Sequence, residues 1–312
     1  MCHHGMEISE SMAFGIGSGL FFSHLPFVKI YGLPLTAYRI APGGIIRRAA
    51  RRLGIGFRFE TFRKQDRGMA ALEQALSSGR VVGLQTSVFW LPFFPPAFRF
   101  QFNAHNLIVY GKEGDDYLIS DPTLDRPVRC PSKDLQKARY AKGFLAPRGK
   151  MYYPTRIPPR PDFRRAISGG IREVCSRMLN RTHSFVGVPA IRALAKKIPR
   201  WAQKHGDGHV AEQLANLIRM QEEIGTGGAG FRFLYAAFLQ EAGEMLGMDQ
   251  LLGFSHRMTR VGDRWNSFAY RAAPVCKGRR NGRAAYAELR EILLDCADQE
   301  YTIFRDLRRL RI

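Results

Sequence analysis

The chain has 312 residues, 45% of them hydrophobic and 24% charged, enough apolar sequence for one large or two medium cores. Intrinsic disorder, collagen-like sequence and a small disulfide scaffold are excluded as its main organisation. Lys and Arg outnumber Asp and Glu by 48 to 27, a formal net charge of +21. The excess is spread along the chain, with 21 basic against 11 acidic residues before Thr155 and 27 against 16 from there on. A field of that sign favours an acidic partner: nucleic acid, an anionic membrane surface or an acidic protein.

In chain order, Arg47 to Leu53 and Gly68 to Ser78 predict short helices, the second ending at Gly79. Val81 to Ser87 predicts a strand. His105 to Gly111 and Asp116 to Ser120 predict two more, joined by the turn Lys112-Glu113-Gly114-Asp115 as a hairpin. Asp134 to Tyr140 predicts a basic helix. The proline-rich run Met151 to Pro161 is the expected boundary between domains at 1–155 and 156–312. Beyond it, Phe163–Leu179, Ala190–Lys204, Val210–Glu223, Phe231–Leu246 and Ala284–Leu310 carry apolar residues at helical spacing. The expected fold class is α+β, an antiparallel-sheet domain followed by an all-helical one.

The five cysteines, Cys2, Cys130, Cys175, Cys276 and Cys296, are scattered and form no CxxC pair. That favours a reducing compartment and a cytoplasmic location, without a disulfide framework or zinc ribbon. No basic segment followed by an apolar one marks a signal peptide. No uncharged apolar run reaches the ~18–20 residues of a membrane-spanning helix. Cys2, His3 and His4 lack a second ligand group at suitable spacing, so no metal is expected there.

His105 opens one hairpin strand and Asp121 closes the other, sixteen residues later. Paired antiparallel strands lie about 5 Å apart, so the two side chains can meet at one end of the hairpin. A carboxylate on one imidazole nitrogen fixes the tautomer and leaves the other nitrogen as a base for a cysteine or serine nucleophile. The same spacing also fits a histidine bonded to backbone beside an Asp-Pro turn that ends the strand.

The run Asn103-Ala104-His105-Asn106-Leu107-Ile108-Val109-Tyr110-Gly111 with Tyr117-Leu118-Ile119-Ser120-Asp121-Pro122 resembles the histidine hairpin of papain-like cysteine enzymes. The segments His4 to Glu10, Phe14 to Leu20, Gly79 to Gln85 and Trp90-Leu91-Pro92 resemble the family named for the N-terminal domain of butirosin biosynthesis protein H. The second half, clearest from Ile224 to Phe233, resembles the helical domain of unknown function that commonly follows it. The resemblance implies a papain-like acyltransferase that moves an acyl group from an acidic acyl carrier protein thioester to an amine or hydroxyl acceptor. His105 would be the base, Asp121 its orienter, and no cofactor would be needed. In the family the nucleophilic cysteine opens a helix ahead of the hydrophobic-His-Gly segment. Cys2 stands only three residues before Gly5, so the matching position is expected to fall before Met1. A non-catalytic module binding acyl groups or carrier proteins, and a leader-peptide protease, are the alternatives.

Four further features carry expectations. Gly15 to Gly19 reads as a tight turn rather than a dinucleotide loop, because it lacks the GxGxxG spacing and a preceding strand. Gly225 to Gly230 could hold an anion on bare amides or let two helices approach closely. Phe89 to Phe98 suits either a wall for an acyl chain or a packing loop between domains. The clusters Arg47-Arg48, Arg51-Arg52 and Arg308-Arg309-Arg311 read as solvated helix faces. Without a nucleic-acid motif, they favour an acidic carrier protein over nucleic acid.

Overall fold

The alternation of apolar and polar residues in the middle of the chain folds, in a computed structural model, into an antiparallel sheet, and the later periodic segments into helices. The structure describes residues 7–30, 32–180, 182–223 and 227–312. It divides into two compact units, one of residues 54–159 and the other of residues 1–53 together with 160–312. The break at Pro159/Arg160 lies near the boundary expected from composition. The break after Leu53 was not foreseen.

The chain begins with α1 (Glu10–Ile16), the hairpin β1 (Leu20–Ile30) and β2 (Leu33–Arg39), and α2 (Pro42–Leu53). Ser9 caps α1 by accepting the Met12 amide at 3.0 Å. Gly15 is required where α1 meets a later helix, because a Cβ there would lie 2.0 Å from the Phe238 ring. Gly17 caps the helix and Ser18 follows with φ 52°, so the glycine run is a helix end and turn, as its spacing suggested.

The 54–159 unit holds β3 (Gly56–Glu60), α3 (Gln65–Ser77), β4 (Val82–Thr86), β5 (His105–Glu113), β6 (Asp116–Ser120), β7 (Val128–Pro131), α4 (Ser132–Arg139) and β8 (Met151–Arg156). Its six strands lie in the order β3-β8-β4-β5-β6-β7, each pair antiparallel. Leu84, Leu107, Val109, Tyr117 and Ile119 on one face pack against Leu72 and Ala75 of α3 and Leu135 and Ala138 of α4. Each large side chain so buried contributes about 1.5–3 kcal/mol of transfer free energy.

Of the run Met151 to Pro161, the first six residues are β8, an interior strand of the sheet, and the break between units falls in the rest. Pro154 is tolerated because β4 pairs only with Met151 and Tyr152. Past Tyr152 the strand has β3 alone as its neighbour, and no ladder donor is needed on the other side.

The other unit continues with α5 (Phe163–Met178), α6 (Gly187–Ile218), α7 (Arg232–Leu246), α8 (Asp249–Cys276) and α9 (Arg283–Arg309). The two helices expected over 190–204 and 210–223 are the two halves of α6, which breaks at the non-helical Gly206 (φ 79°, ψ 172°) and is followed by a wider turn over Arg219–Glu223. In its interior, Arg232 and Glu300 are fully buried and form a two-point pair with bonds of 2.9 and 3.1 Å. Trp265 Nε1 donates to the same carboxylate at 2.7 Å, and the guanidinium lies 4.8 Å from the Trp265 ring.

Of the arginines read as solvated faces, Arg48 and Arg52 are not free in water. Both bond Glu173 of α5, as does Arg177. Burial, reinforced by the neighbouring guanidiniums, brings Arg52 and Arg177 down to about 10.

Candidate active site

The β-branched and aromatic residues of β5 and β6, joined through Gly114 at φ 58°, form the expected hairpin. The pairing Ile108↔Ser120, continued by one residue, sets Asp121 opposite Leu107. His105 is then the diagonal neighbour of Asp121 on the same face, within reach for long side chains. Both lie at the strand ends in the interior of the sheet, since β5 is flanked by β4 and β6.

The two residues meet. His105 Nε2 and Asp121 Oδ2 are 2.5 Å apart, and the residues are 9% and 3% exposed. The second carboxylate oxygen, Oδ1, accepts from the Thr123 amide at 3.0 Å and the Thr123 hydroxyl at 2.7 Å. Burial alone would push the Asp121 carboxyl up. The hydrogen bond and charge of His105, with the two Thr123 bonds, outweigh burial and hold it below the usual carboxylate range. With Nε2 donating to the carboxylate, Nδ1 is the ring's acceptor. Among the described residues Nδ1 has no hydrogen-bond partner. The Phe94 ring stands edge-on to the imidazole, centroids 5.6 Å apart, and fixes its plane from one side.

The approach to His105 is tied down by side-chain amides. Asn103 Nδ2 donates to the carbonyls of Lys142 and Phe144 at 3.1 and 2.9 Å. Gln85 Nε2 donates to those of Asn103 and Leu145 at 2.9 and 2.8 Å. Sequence reasoning did not name Thr123, and it quoted Asn103 and Gln85 only within the segments that carry the resemblance, with no role assigned. For Thr123 a signal existed, because Asp-Pro-Thr can close an Asx turn in which the carboxylate accepts the amide two residues on.

The aromatic segment divides by side chain. Phe93 and Phe94 pack against the sheet core, whereas Phe89, Trp90 and Phe98 stay 40%, 39% and 62% exposed. In the glycine stretch, residues 224–226 lie outside the described residues. Of the rest, Gly230 lets a strand rather than a second helix come close, since a Cβ there would lie 2.2 Å from the Tyr38 ring of β2. The Ala229 amide is already directed at the Glu222 carboxylate, 3.3 Å away.

Cys2, His3 and His4 also fall outside the described residues. The four described cysteines are poor nucleophiles, held as thiols by burial, which pushes Cys130 and Cys175 up to about 12 and raises Cys276 and Cys296. A second buried histidine, His24, is pushed down to about 4 by burial and then by Lys197. Its Nδ1 lies 3.0 Å from Thr36 Oγ1, and no carboxylate among the described residues orients it. Among the described residues no group of three or more His, Cys, Asp or Glu could hold a metal ion, and no helix is long and apolar enough to cross a membrane.

Residues 1–122 match the family described as Butirosin biosynthesis protein H, N-terminal, and residues 133–307 match the Domain of unknown function (DUF4872). His105 and Asp121 both fall within the first match. No curated protein matches the chain.

Proposed function

The chain belongs to the DUF4872 family, with a butirosin biosynthesis protein H N-terminal region ahead of that domain, and from this premise we propose that it is a papain-like acyltransferase of a biosynthetic pathway. The observation that supports the reading is the buried His105–Asp121 contact of 2.5 Å with Nδ1 left over. The donor is a thioester on an acidic acyl carrier protein, the acceptor a small amine or alcohol, and the setting cytoplasmic.

In the proposed cycle His105 Nδ1 takes the proton of a cysteine thiol that is none of Cys130, Cys175, Cys276 and Cys296, and Asp121 stabilises the imidazolium. The thiolate attacks the thioester carbonyl. The carrier's thiol then leaves with the proton from His105, and the acyl group stays on the enzyme as a new thioester. The acceptor gives its proton to His105 as it attacks that carbonyl, and the cysteine thiol is restored.

Mass spectrometry of the protein after incubation with acyl-carrier-protein thioesters tests the proposal. An acyl adduct on a cysteine, formed about a hundredfold or more slowly by His105→Ala, is the expected result. Undiminished loading of that variant removes His105 from the mechanism. The inert state of the four described thiols favours a second reading, a non-catalytic module that binds carrier proteins. For that reading the expected result is salt-sensitive carrier binding with no adduct.

A further inference from the structure

The 54–159 unit contains a cavity of ≈ 560 Å³ that His105 and Asp121 do not line. Its size falls within the range of about 300–1,000 Å³ typical of small-molecule sites. Lys133, Lys137 and Lys142 line it, and no Asp or Glu does among the described residues. Lys137 is bonded to Asp134 at 3.1 Å and lies 5.3 Å from the Trp90 ring centre. Lys133 and Lys142 have no ion-pair partner among the described residues. The wall next to them is Phe89 and Trp90, their rings edge to face at 5.0 Å. Each leaves about two-fifths of its surface open to solvent.

The floor is polar and enclosed. Ser87 is 2% exposed, and its hydroxyl has no hydrogen-bond partner among the described residues. Asn103, 6% exposed, stands beside it with its amide nitrogen already bonded to two carbonyls. Gln136 Nε2, on the rim, donates to Gln65 at 3.2 Å.

These three features point to one ligand chemistry. Amines without balancing carboxylates select a negative charge. Partly exposed aromatic rings with an open face gain most from a flat group laid against them. The Ser87 hydroxyl on the lining supplies a hydrogen bond. We propose that this cavity is a binding site for a small organic anion, a carboxylate or phosphate ester, that carries a planar aromatic body. The ring stacks on Trp90 and Phe89, the anionic group pairs with Lys133 or Lys142, and Ser87 bonds a polar substituent. The site does not depend on His105 acting as a base.

Calorimetric titration of the full chain with naphthoate, naphthyl phosphate and the neutral naphthylmethanol tests the assignment. Saturable binding of at least one anion is expected, weakening as salt rises, with the neutral alcohol markedly weaker. The Lys133→Gln/Lys142→Gln double variant, checked for an unchanged melting temperature, should lose about tenfold or more in affinity for that anion. Trp90→Ala should lose affinity for the anions and the alcohol alike. Preference for the phosphate over the carboxylate identifies a phosphate ester as the natural ligand class, and the reverse identifies an aryl acid. No binding of either anion, equal binding of the alcohol, or unchanged affinity in the double variant overturns the proposal.

Discussion

Among the described residues, each unit of this protein buries one hydrogen-bonded pair built on a carboxylate, and the two pairs are built differently. Arg232–Glu300 is wholly enclosed. Two of the guanidinium nitrogens bond Glu300, a third donates to the Gly230 carbonyl at 2.9 Å, and Trp265 takes a further place on the carboxylate. A guanidinium accepts nothing, so this arrangement has no atom left for chemistry. His105–Asp121 saturates only one side of the imidazole. Its carboxylate is held by His105 and Thr123, and the second ring nitrogen is left over. Burial is common to both. What separates a pair that can act from one that can only hold is whether a nitrogen able to accept a proton is left over.

The largest effect expected from breaking this contrast is at the closed pair. Glu300→Ala leaves a buried guanidinium and the Trp265 N–H without their acceptor, and should cost about 3–5 kcal/mol in denaturant unfolding. Replacing both partners, as in Arg232→Met/Glu300→Leu, should recover most of that loss. A single variant as stable as the native chain would mean the pair is solvated or dispensable.

Asp121→Asn comes next, at about 1–3 kcal/mol for the loss of hydrogen bonds to a buried charge. The Asp121 carboxyl lies below its ordinary value when folded. Its contribution is therefore complete above the unfolded-state value of about 3.9 and is lost as pH falls through the folded value. The stability gap between native and Asp121→Asn protein should shrink as urea titrations move from neutral pH to below about pH 4. A gap independent of pH would show that ionisation of Asp121 contributes nothing.

The smallest effect sharpens the role of burial. Arg192 and Asp298 form a bond of 2.6 Å with 39% and 67% of their side chains exposed. Arg192→Ala should change stability by less than about 1 kcal/mol. A thermal melt showing a loss comparable to that of Glu300→Ala would overturn the view that enclosure, not pairing, sets the scale.

The parts of the fold that could be read in the sequence are those with local signals. β5 and β6 alternate cleanly about a glycine turn, and α3 and α9 carry apolar stripes, so their existence and the meeting of His105 with Asp121 could be anticipated. β1 was not foreseen, since Leu20–Ile30 contains His24 and Pro26 and pairs with irregular register. α8 was missed although Leu251, Phe254, Met258, Val261, Trp265 and Phe268 keep helical spacing. Gly253, Gly262 and Pro274 break the run to the eye, yet the helix continues because packing outweighs their low propensity. The partners of Glu173 and of Glu300 lie as far as 125 and 68 residues away in the chain. No periodicity or turn marks such contacts, which exist only once the helices have packed.

The place of β8 has a consequence for how the protein is made and inherited. β3 is translated first among the six strands, yet its only neighbour, β8, is translated last. Until Arg156 leaves the ribosome, β3 and one side of β4 are unpaired edges, open to chaperones or to another nascent chain. The two family matches meet between Pro122 and Lys133, ahead of that strand. A split gene divided there would yield a first product with an isolated β3 and a second product carrying the missing strand. Neither recognisable segment therefore holds all six strands of the sheet by itself.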